Sequence, residues 1–201
     1  MAATPEQRRE QLVDVFREAR NCERCALSRS RTQVVFGAGN ADADLMFVGE
    51  APGAEEDRQG LPFVGRSGAL LTAMLGDVGI ARKDVFIANT LKCRPPANRD
   101  PAGSEIETCR PWLNEQIRLI EPRVVATLGN FATKLLTGDQ TGITRVHGRP
   151  QVRELGGRRV FLLPLFHPAA ALRASATADL LAADLATLPQ LLQRPLPGAE
   201  A

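Results

Sequence analysis

Three polar side chains that could bind a ligand follow apolar runs in this sequence. Glu50 lies in GEAPG, directly after the run DLMFVG at 44–49. Asn89 ends the run DVFIAN, and His167 follows another apolar run in LFHPAAALR. The amide of Asn89 could present one donor and one acceptor to a planar heterocycle. These residue types, each at the end of an apolar run, indicate a ligand site.

Each of these residues also fits an ordinary structural role, as does Phe63 in GLPFVG. GEAPG has neither the three-glycine spacing of a dinucleotide loop nor the Gly-Lys-Ser/Thr ending of a P-loop, and Glu50 would repel a phosphate. Alone, GEAPG is typical of a Gly/Pro-rich turn, Asn89 of a turn cap, and His167 of a core or capping position. Phe63 either anchors its loop to the core or offers a face on which a base stacks.

Four cysteines form a second group of candidate functional residues. Cys22 and Cys25 make a CxxC pair, whereas Cys93 and Cys109 lie far downstream. In a cytosolic chain such cysteines are more typical of ligands or catalytic groups than of disulfides. Four thiolates can hold either zinc or a [4Fe–4S] cluster. The long interval between Cys93 and Cys109 does not match the paired knuckles of a zinc ribbon, so the spacing favours the cluster and leaves zinc as the alternative.

The elements that would position the candidate residues are apolar runs that alternate with helical stretches. The runs are rich in Val, Ile, Leu and Phe without polar alternation, as in a parallel sheet that is covered on both faces. The predicted strands are 44–49, 84–89, 123–128 and 160–165. The predicted helices are 5–20, 67–79, 104–120 with a kink or break at Pro111, 130–137 and 177–193, with a hairpin-like excursion at 138–159. The predicted fold class is α/β, a three-layer α/β/α arrangement around a central four-stranded parallel sheet.

The predicted strands bring the polar residues together. Ligands of open α/β sheets bind beyond the carboxyl ends of the strands. Glu50, Asn89 and His167 each follow a predicted strand, and the pair Gly129-Asn130 follows the remaining one. We therefore expect a carboxylate, an amide and an imidazole to meet in one crevice.

The composition predicts one globular domain over residues 1–201. The chain is long enough for one substantial core, and its 44% apolar and 24% charged residues are ordinary proportions. We expect an N-terminal helix within 1–20 and a flexible tail at 195–201. The sequence has no run long enough to span a membrane and no signal-peptide pattern, which predicts a cytoplasmic protein without a membrane partner. The net charge of +2 neither requires nor excludes a polyanionic partner.

Several motifs in the same order resemble those of one enzyme family. GEAPGAEEDRQGLPFVGRSG, then NTLKCRPP with a later cysteine, then HPAAALR are similar to the motifs of the iron–sulfur uracil-DNA glycosylases, family 4 of the uracil-DNA glycosylase superfamily. The resemblance extends from the CxxC pair to the last predicted helix. It implies a monofunctional hydrolase that removes uracil from DNA and leaves an abasic site, the first step of base-excision repair.

The resemblance implies a pocket for a uracil that has left the base stack. Phe63 would stack on the ring, and Asn89 would hydrogen-bond its Watson–Crick edge. Backbone groups of Gly49, Glu50 and Ala51 would complete the cradle. His167 would donate to uracil O2, where negative charge develops as the glycosidic bond breaks.

The resemblance leaves the water-positioning residue open. A better-known branch of the superfamily has an aspartate in the corresponding loop, but this chain has Ala51 there. Glu50 and Glu56 are the nearest carboxylates and the two candidates for the role. The resemblance also favours a structural [4Fe–4S] cluster on the four cysteines over zinc.

The expected partner is uracil-containing DNA, either single- or double-stranded, bound by a monomer. The candidates for DNA contact are Arg66, Arg94, Arg99 and Arg173, and contact with a sliding clamp is left open. The alternative function is a protein that binds or covalently traps uracil-DNA without turnover. Trapping relatives carry a basic insertion after the second-strand motif, where this chain has only CRPPANRDP. A zinc-stapled module that binds nucleic acid nonspecifically is a further alternative.

Overall fold

The computed structural model describes residues 3–196, which form a six-stranded sheet with helices packed on both faces. The strands are β1 Ala38–Gly39, β2 Leu45–Gly49, β3 Phe86–Asn89, β4 Val124–Leu128, β5 Gln151–Leu155 and β6 Arg158–Leu165. The α-helices are α1 Pro5–Arg20, α2 Ala54–Gln59, α3 Arg66–Asp77, α4 Gly103–Ile120, α5 Asn130–Thr137, α6 Ile143–Val146, α7 Pro168–Ala171, α8 Ser175–Leu185 and α9 Leu188–Gln193. Short 3-10 turns occupy Ala26–Arg29, Arg82–Asp84 and Pro96–Asn98.

The sheet order is β1-β3-β2-β4-β6-β5, which corrects the predicted strand count from four to six. The four predicted runs form β3, β2, β4 and β6, which pair in parallel with one another. Two antiparallel strands, β1 and β5, extend the sheet at its edges. The mixed α/β class agrees with the sequence, but the two edge strands were missed. β1 has only two residues, too few for a hydrophobic period to be visible.

The strand residues alternate between two hydrophobic cores, one on each face of the sheet. Met46 and Val48 point into the first core, which contains side chains of α1 and α4. Leu45 and Phe47 point into the second core, which contains side chains of α3, α8 and α9. Because both faces are covered, every residue of β2 is buried, and the strand shows no polar alternation in sequence.

Helix ends follow local sequence signals, with two departures from the prediction. α1 begins as expected, with a capping box between Thr4 and Gln7. α4 runs through Pro111 without a break, so the proline does not divide it. The predicted helix 177–193 is instead two helices, α8 and α9, and a proline in the first turn of α9 accounts for the new start. Of the predicted tail 195–201, residues 197–201 lie outside the described part of the chain.

The predicted excursion at 138–159 contains α6 and then a β-hairpin formed by β5 and β6. Gly156 and Gly157 join the two strands, with φ angles of 58° and 75°. A two-residue hairpin turn of this kind needs positive φ at both positions, which glycine adopts without steric cost. Within residues 3–196, no helix is both long enough and apolar enough to cross a bilayer.

Replacement of Phe47 by alanine is expected to lower the free energy of unfolding by about 3–5 kcal/mol. The Phe47 side chain is fully buried in β2, and its removal would leave a cavity in the second core. Urea denaturation followed by circular dichroism measures the loss. Leu180→Ala is the matched control, because Leu180 is 43% exposed on α8 and should lose less than about 1 kcal/mol. Equal losses in the two variants would contradict the assigned core.

Candidate functional site

A crevice opens at the carboxyl ends of the parallel strands. It has a volume of about 640 Å³ and is lined by Glu50 after β2, Gly129 after β4 and His167 after β6. β2 and β4 are neighbours in the sheet, and the strand order reverses direction between them. Such a switch point leaves a gap between the loops, in which α/β proteins bind ligands. The structure therefore places the predicted carboxylate and imidazole in one crevice, whereas the predicted amide, Asn89, and the ring of Phe63 are not among its lining residues.

Asn89 lies at the end of β3 with its side chain against Gly49 of the neighbouring strand. Asn89 is 2% exposed, and a Cβ on Gly49 would lie 2.4 Å from Asn89 Oδ1. Glycine is therefore needed at 49, because any side chain would displace the amide. Within residues 3–196 no hydrogen bond holds the Asn89 side chain. An amide with no protein partner at the end of a strand is free to pair with a ligand.

The ring of Phe63 also lies against Gly49. A Cβ on Gly49 would lie 2.9 Å from the Phe63 ring, and the Phe63 and His167 ring centroids are 5.6 Å apart. Phe63 is 6% exposed and has a φ of 50°, an unusual backbone conformation for a residue with a side chain. The structure thus places an amide and an aromatic ring against Gly49, with the imidazole of His167 near that ring.

The first turn of α7 holds the His167 ring in one tautomer and one orientation. Its Nδ1 accepts a hydrogen bond from the Ala169 backbone N–H at 3.0 Å. A neutral ring with Nδ1 as acceptor carries its proton on Nε2, which is then a donor. Burial lowers the pKa of His167 from its usual 6.5, although the charge of Glu56 acts in the opposite direction. Burial therefore favours the neutral ring.

The two candidate carboxylates have different surroundings. Glu50 lines the crevice, and burial together with the charge of Asp100 raises its pKa. Glu56 accepts hydrogen bonds from the backbone N–H groups of Val64 and Gly65 at 3.2 and 3.3 Å. Glu50 is therefore exposed to a ligand in the crevice, whereas one oxygen of Glu56 already holds the loop that follows Phe63.

The four cysteines surround a second, small cavity on the first face of the sheet. Cys22, Cys25, Cys93 and Cys109 all line it, and all four are free. Burial raises the pKa of Cys93 to about 11 and raises that of Cys109 as well, so without a cation both would stay protonated. In the described residues, no group of three or more Cys, His, Asp or Glu is gathered as a binding site for a metal ion.

The comparisons with known proteins identify the family. The model of the uracil DNA glycosylase superfamily matches residues 36–188. A type-4 uracil-DNA glycosylase of Archaeoglobus fulgidus is 45% identical over 167 residues, which cover 81% of this chain and 84% of that protein. The chain belongs to the uracil-DNA glycosylase superfamily. A type-4 uracil-DNA glycosylase of Thermotoga maritima is 46% identical over 167 residues, 82% of this chain and 85% of that protein.

The type-5 members of the superfamily are more distant. A type-5 uracil-DNA glycosylase of Pyrobaculum aerophilum is 32% identical over 145 residues, which cover 65% of this chain and 63% of that protein. The type-4 relatives match more of the chain at higher identity, so the chain belongs to the type-4 family within the superfamily.

The four arginines predicted to contact DNA differ in how freely each could bind a phosphate. Arg66 and Arg173 are exposed, and Arg94 donates to the Asn98 side chain at 2.8 Å. Arg99 makes two hydrogen bonds to the Glu105 carboxylate, at 2.9 and 2.6 Å. Because its charge is already paired, Arg99 is the least available of the four for a phosphate.

The crevice of this superfamily member also contains basic residues that the sequence analysis did not single out. Arg110 of α4 and Lys134 of α5 line it beside His167. Neither lies in a distinctive motif, since each is one charge on an amphipathic helix, and only the packing of α4 and α5 brings them to the crevice.

The sequence analysis also missed the importance of Lys92. It is 2% exposed, and its Nζ donates to the Asn89 backbone carbonyl at 2.8 Å and to Gln116 Oε1 at 2.5 Å. Its backbone N–H donates to Cys109 Sγ at 3.3 Å. Lys92 thus connects the end of β3 with the four-cysteine cavity. The available signal was its position in NTLKCRPP, in a chain with only three lysines.

Proposed function

We propose that this protein is a monofunctional uracil-DNA glycosylase that hydrolyses the N-glycosidic bond of a uracil flipped out of DNA. The observation that supports the proposal is the cluster at Gly49, where the Asn89 amide and the Phe63 ring both lie against the glycine and the Phe63 ring is near the His167 ring. Membership of the superfamily and the type-4 names of the similar proteins support it.

Base recognition is assigned to Asn89 and Phe63. The amide N–H donates to uracil O4 and the amide oxygen accepts from N3–H, while the Phe63 ring stacks on the base. Cytosine has an amino donor and an N3 acceptor at the same positions, so an amide of fixed orientation rejects it. Backbone groups of Gly49, Glu50 and Ala51 are proposed to complete the cradle, since the segment follows β2 directly.

Bond cleavage is assigned to leaving-group stabilisation by His167. The bond between sugar C1′ and uracil N1 breaks, and its electron pair leaves with the base and is delocalised onto O2. The His167 Nε2–H donates to that oxygen, because Nδ1 is engaged with Ala169. The neutral tautomer is fixed before the substrate arrives, so no reorientation of the ring is needed as charge develops.

A water then forms the new bond to C1′, and Glu50 is the better-placed carboxylate to orient it. Glu50 lines the crevice with His167, and its raised pKa makes it a stronger base than an exposed glutamate. The water proton is proposed to pass to Glu50 and then to solvent. Glu56 is assigned mainly to holding the loop through Val64 and Gly65.

The four cysteines are proposed to hold a [4Fe–4S] cluster. They line one common cavity, and a cluster is held by four separate thiolates around a volume larger than a single ion. When bound, such a cluster would act as a crosslink between the segment after α1, the segment after β3, and α4. We assign it no part in the glycosidic chemistry, because the cysteines do not line the crevice that contains Glu50 and His167.

Replacement of Cys93 by serine is expected to reduce bound iron and acid-labile sulfide to near zero per chain, with loss of visible absorbance. Cys93 is one of the four thiols around the cavity, and a buried serine hydroxyl is a poor substitute for a thiolate. Thr108→Ala is the matched control, since Thr108 lines the same cavity without a thiol and its variant should keep the iron. Stoichiometric zinc in a colourless wild-type protein would contradict the cluster and support the zinc alternative.

The DNA backbone is proposed to cross the mouth of the crevice, where Arg66 and Arg173 are the most available of the predicted contacts. Lys134 adds positive charge beside His167, whereas Arg110 in the same lining is paired with Glu107 at 3.0 Å. We also propose that the chain acts as one domain, because both hydrophobic cores pack on the same sheet.

The test of the proposed function is the release of free uracil from a uracil-containing oligonucleotide by purified protein. The proposal requires free uracil and an intact strand with an abasic site, and the same oligonucleotide with cytosine or thymine should remain unchanged. Tight, uracil-dependent binding without release at enzyme excess would instead support the binding or trapping alternative. Strand breaks without heat or alkali would contradict the monofunctional assignment.

A further inference from the structure

The loop that carries Phe63 has a backbone that needs support. Phe63 has a φ of 50°, in the left-handed region that residues with a Cβ rarely adopt. A conformation of this kind persists only where the surrounding structure enforces it. Part of that support is steric, since a Cβ on Gly68 would lie 1.8 Å from the Phe63 carbonyl oxygen. The start of α3 therefore lies directly against the loop.

Arg82 holds the loop from the side that precedes Phe63. It lies in the short 3-10 turn Arg82–Asp84, and its Nη2 donates to the Pro62 carbonyl at 2.7 Å. Its Nη1 donates to Thr72 Oγ1 at 3.0 Å and lies 3.5 Å from the Gly68 carbonyl oxygen. One guanidinium thus ties the residue before Phe63 to the first turns of α3. A planar fork of donors can bridge several acceptors in this way, whereas a lysine ammonium is a point charge on a flexible stem.

Glu56 holds the same loop from the side that follows Phe63. Its carboxylate accepts from the N–H groups of Val64 and Gly65. The carbonyl before Phe63 is therefore bound by a cation and the two amides after it by an anion. Hydrogen bonds to charged groups are roughly twice as strong as those between neutral groups. The two contacts together fix the peptide planes on both sides of the aromatic residue.

We propose that Arg82 is a positioning residue for glycosidic cleavage, which acts by fixing Phe63 in the orientation that stacks on the flipped base. The inference rests on the proposed function, because it assigns Arg82 to the ring that would contact uracil. Arg82 itself does not line the crevice beside His167; it lines a separate cavity, together with Phe63 and Thr72. Its role is therefore exerted through the loop and not by contact with the reacting atoms.

The test is a double-mutant cycle between Arg82→Met and Phe63→Ala, measured as single-turnover uracil release at saturating enzyme. We expect Arg82→Met to slow the wild-type reaction about 10-fold, the factor that corresponds to one lost charge-assisted hydrogen bond. In the Phe63→Ala background the same change should slow release less than about 2-fold, because the ring that Arg82 orients is no longer present. A purely structural arginine would give the same factor in both backgrounds, which would overturn the proposal.

Arg8→Met is the matched control for the loss of a partly buried arginine. Arg8 donates to the Leu119 and Ala3 carbonyls and forms ion pairs with Asp42 and Glu121, on the part of the molecule formed by α1 and α4. Its variant should lose stability to a similar extent and keep the wild-type rate of uracil release. A slowed Arg8 variant would show that general loosening affects the rate, and the Arg82 assignment would then be overturned.

Arg82→Lys keeps the positive charge and covers the case in which Arg82→Met does not fold. A lysine can reach one of the acceptors but cannot bridge the Pro62 carbonyl and Thr72 together, so we expect an intermediate rate with a wild-type unfolding midpoint. A rate equal to wild type would overturn the positioning role. If Phe63→Ala left the rate of uracil release unchanged, the stacking assignment in the proposed function would fail. If Phe63→Ala slowed release but the Arg82 variants released uracil at the wild-type rate, the stacking assignment would stand and this inference would fail.

Discussion

Replacement of His167 by alanine is expected to slow uracil release about 10²–10³-fold, the effect of losing one donor to a developing oxyanion. His167 lines the crevice, and its Nδ1 is committed to the Ala169 N–H, which leaves the Nε2–H as the donor for uracil O2. The affinity for uracil-DNA should change much less than the rate, because the contact is strongest when negative charge has developed. Single-turnover uracil release and equilibrium DNA binding measure the two quantities separately.

The pH dependence of the wild-type enzyme provides a second check on the same residue. The pKa of His167 is lowered from 6.5, so the neutral ring persists to lower pH in the folded protein than in the unfolded chain. The contribution of His167 to stability is therefore present above pH 6.5 and is lost as the pH falls below it. We expect the rate to stay level as the pH is lowered from about 8 to 6.5. A decline that begins above neutral pH and disappears in the His167 variant would contradict the assignment.

Replacement of Asn89 by alanine is expected to reduce the rate of uracil release by about 10³-fold, because two hydrogen bonds to the base edge are lost in a buried site. Asn89 is 2% exposed, and its amide lies against Gly49, where water cannot readily replace the missing partners. Unlike the His167 variant, this variant should also bind uracil-DNA no more tightly than undamaged DNA. Parallel binding and release assays with uracil- and thymine-containing oligonucleotides measure both effects.

Replacement of Asn89 by aspartate changes the hydrogen bonding of the side chain while it keeps nearly the same shape. Aspartate has nearly the same size, but an ionised carboxylate has no donor for uracil O4 and repels that oxygen. We therefore expect a loss at least as large as in the alanine variant, with an unfolding midpoint closer to that of the wild type. An aspartate variant that released uracil at the wild-type rate would show that Asn89 does not read the base edge.

The sequence predicted the elements that have a clear hydrophobic period. The four parallel strands and the helices α1, α3 and α5 lie within two residues of their predicted bounds, because a strand buried on both faces and an amphipathic helix each leave a distinct pattern. The meeting of Glu50 and His167 at the crevice followed from the rule that ligands bind at the carboxyl ends of parallel strands.

The remaining features depend on contacts between distant parts of the chain. The left-handed φ of Phe63 depends on contacts with α3, Arg82 and Glu56. The local sequence around Phe63 does not indicate that these contacts form. Pro111 stays within α4 because the buried side chains around it hold the helix in place. Lys92 would be placed on the surface by composition alone, and only its hydrogen bonds to Asn89 and Gln116 make its burial tolerable.

The crevice lies between the two hydrophobic cores, and this arrangement has a consequence for heat resistance. Ala51, after β2, packs against the first core, whereas Phe63 belongs to the second. In the proposed complex, a base held between them would contact both helical layers at once. Proteins open region by region as well as globally, and a ligand that needs both regions closed opposes each opening. Binding of uracil-DNA in the proposed site would therefore crosslink the two layers, and we expect the melting temperature to be higher in that complex than in the free protein.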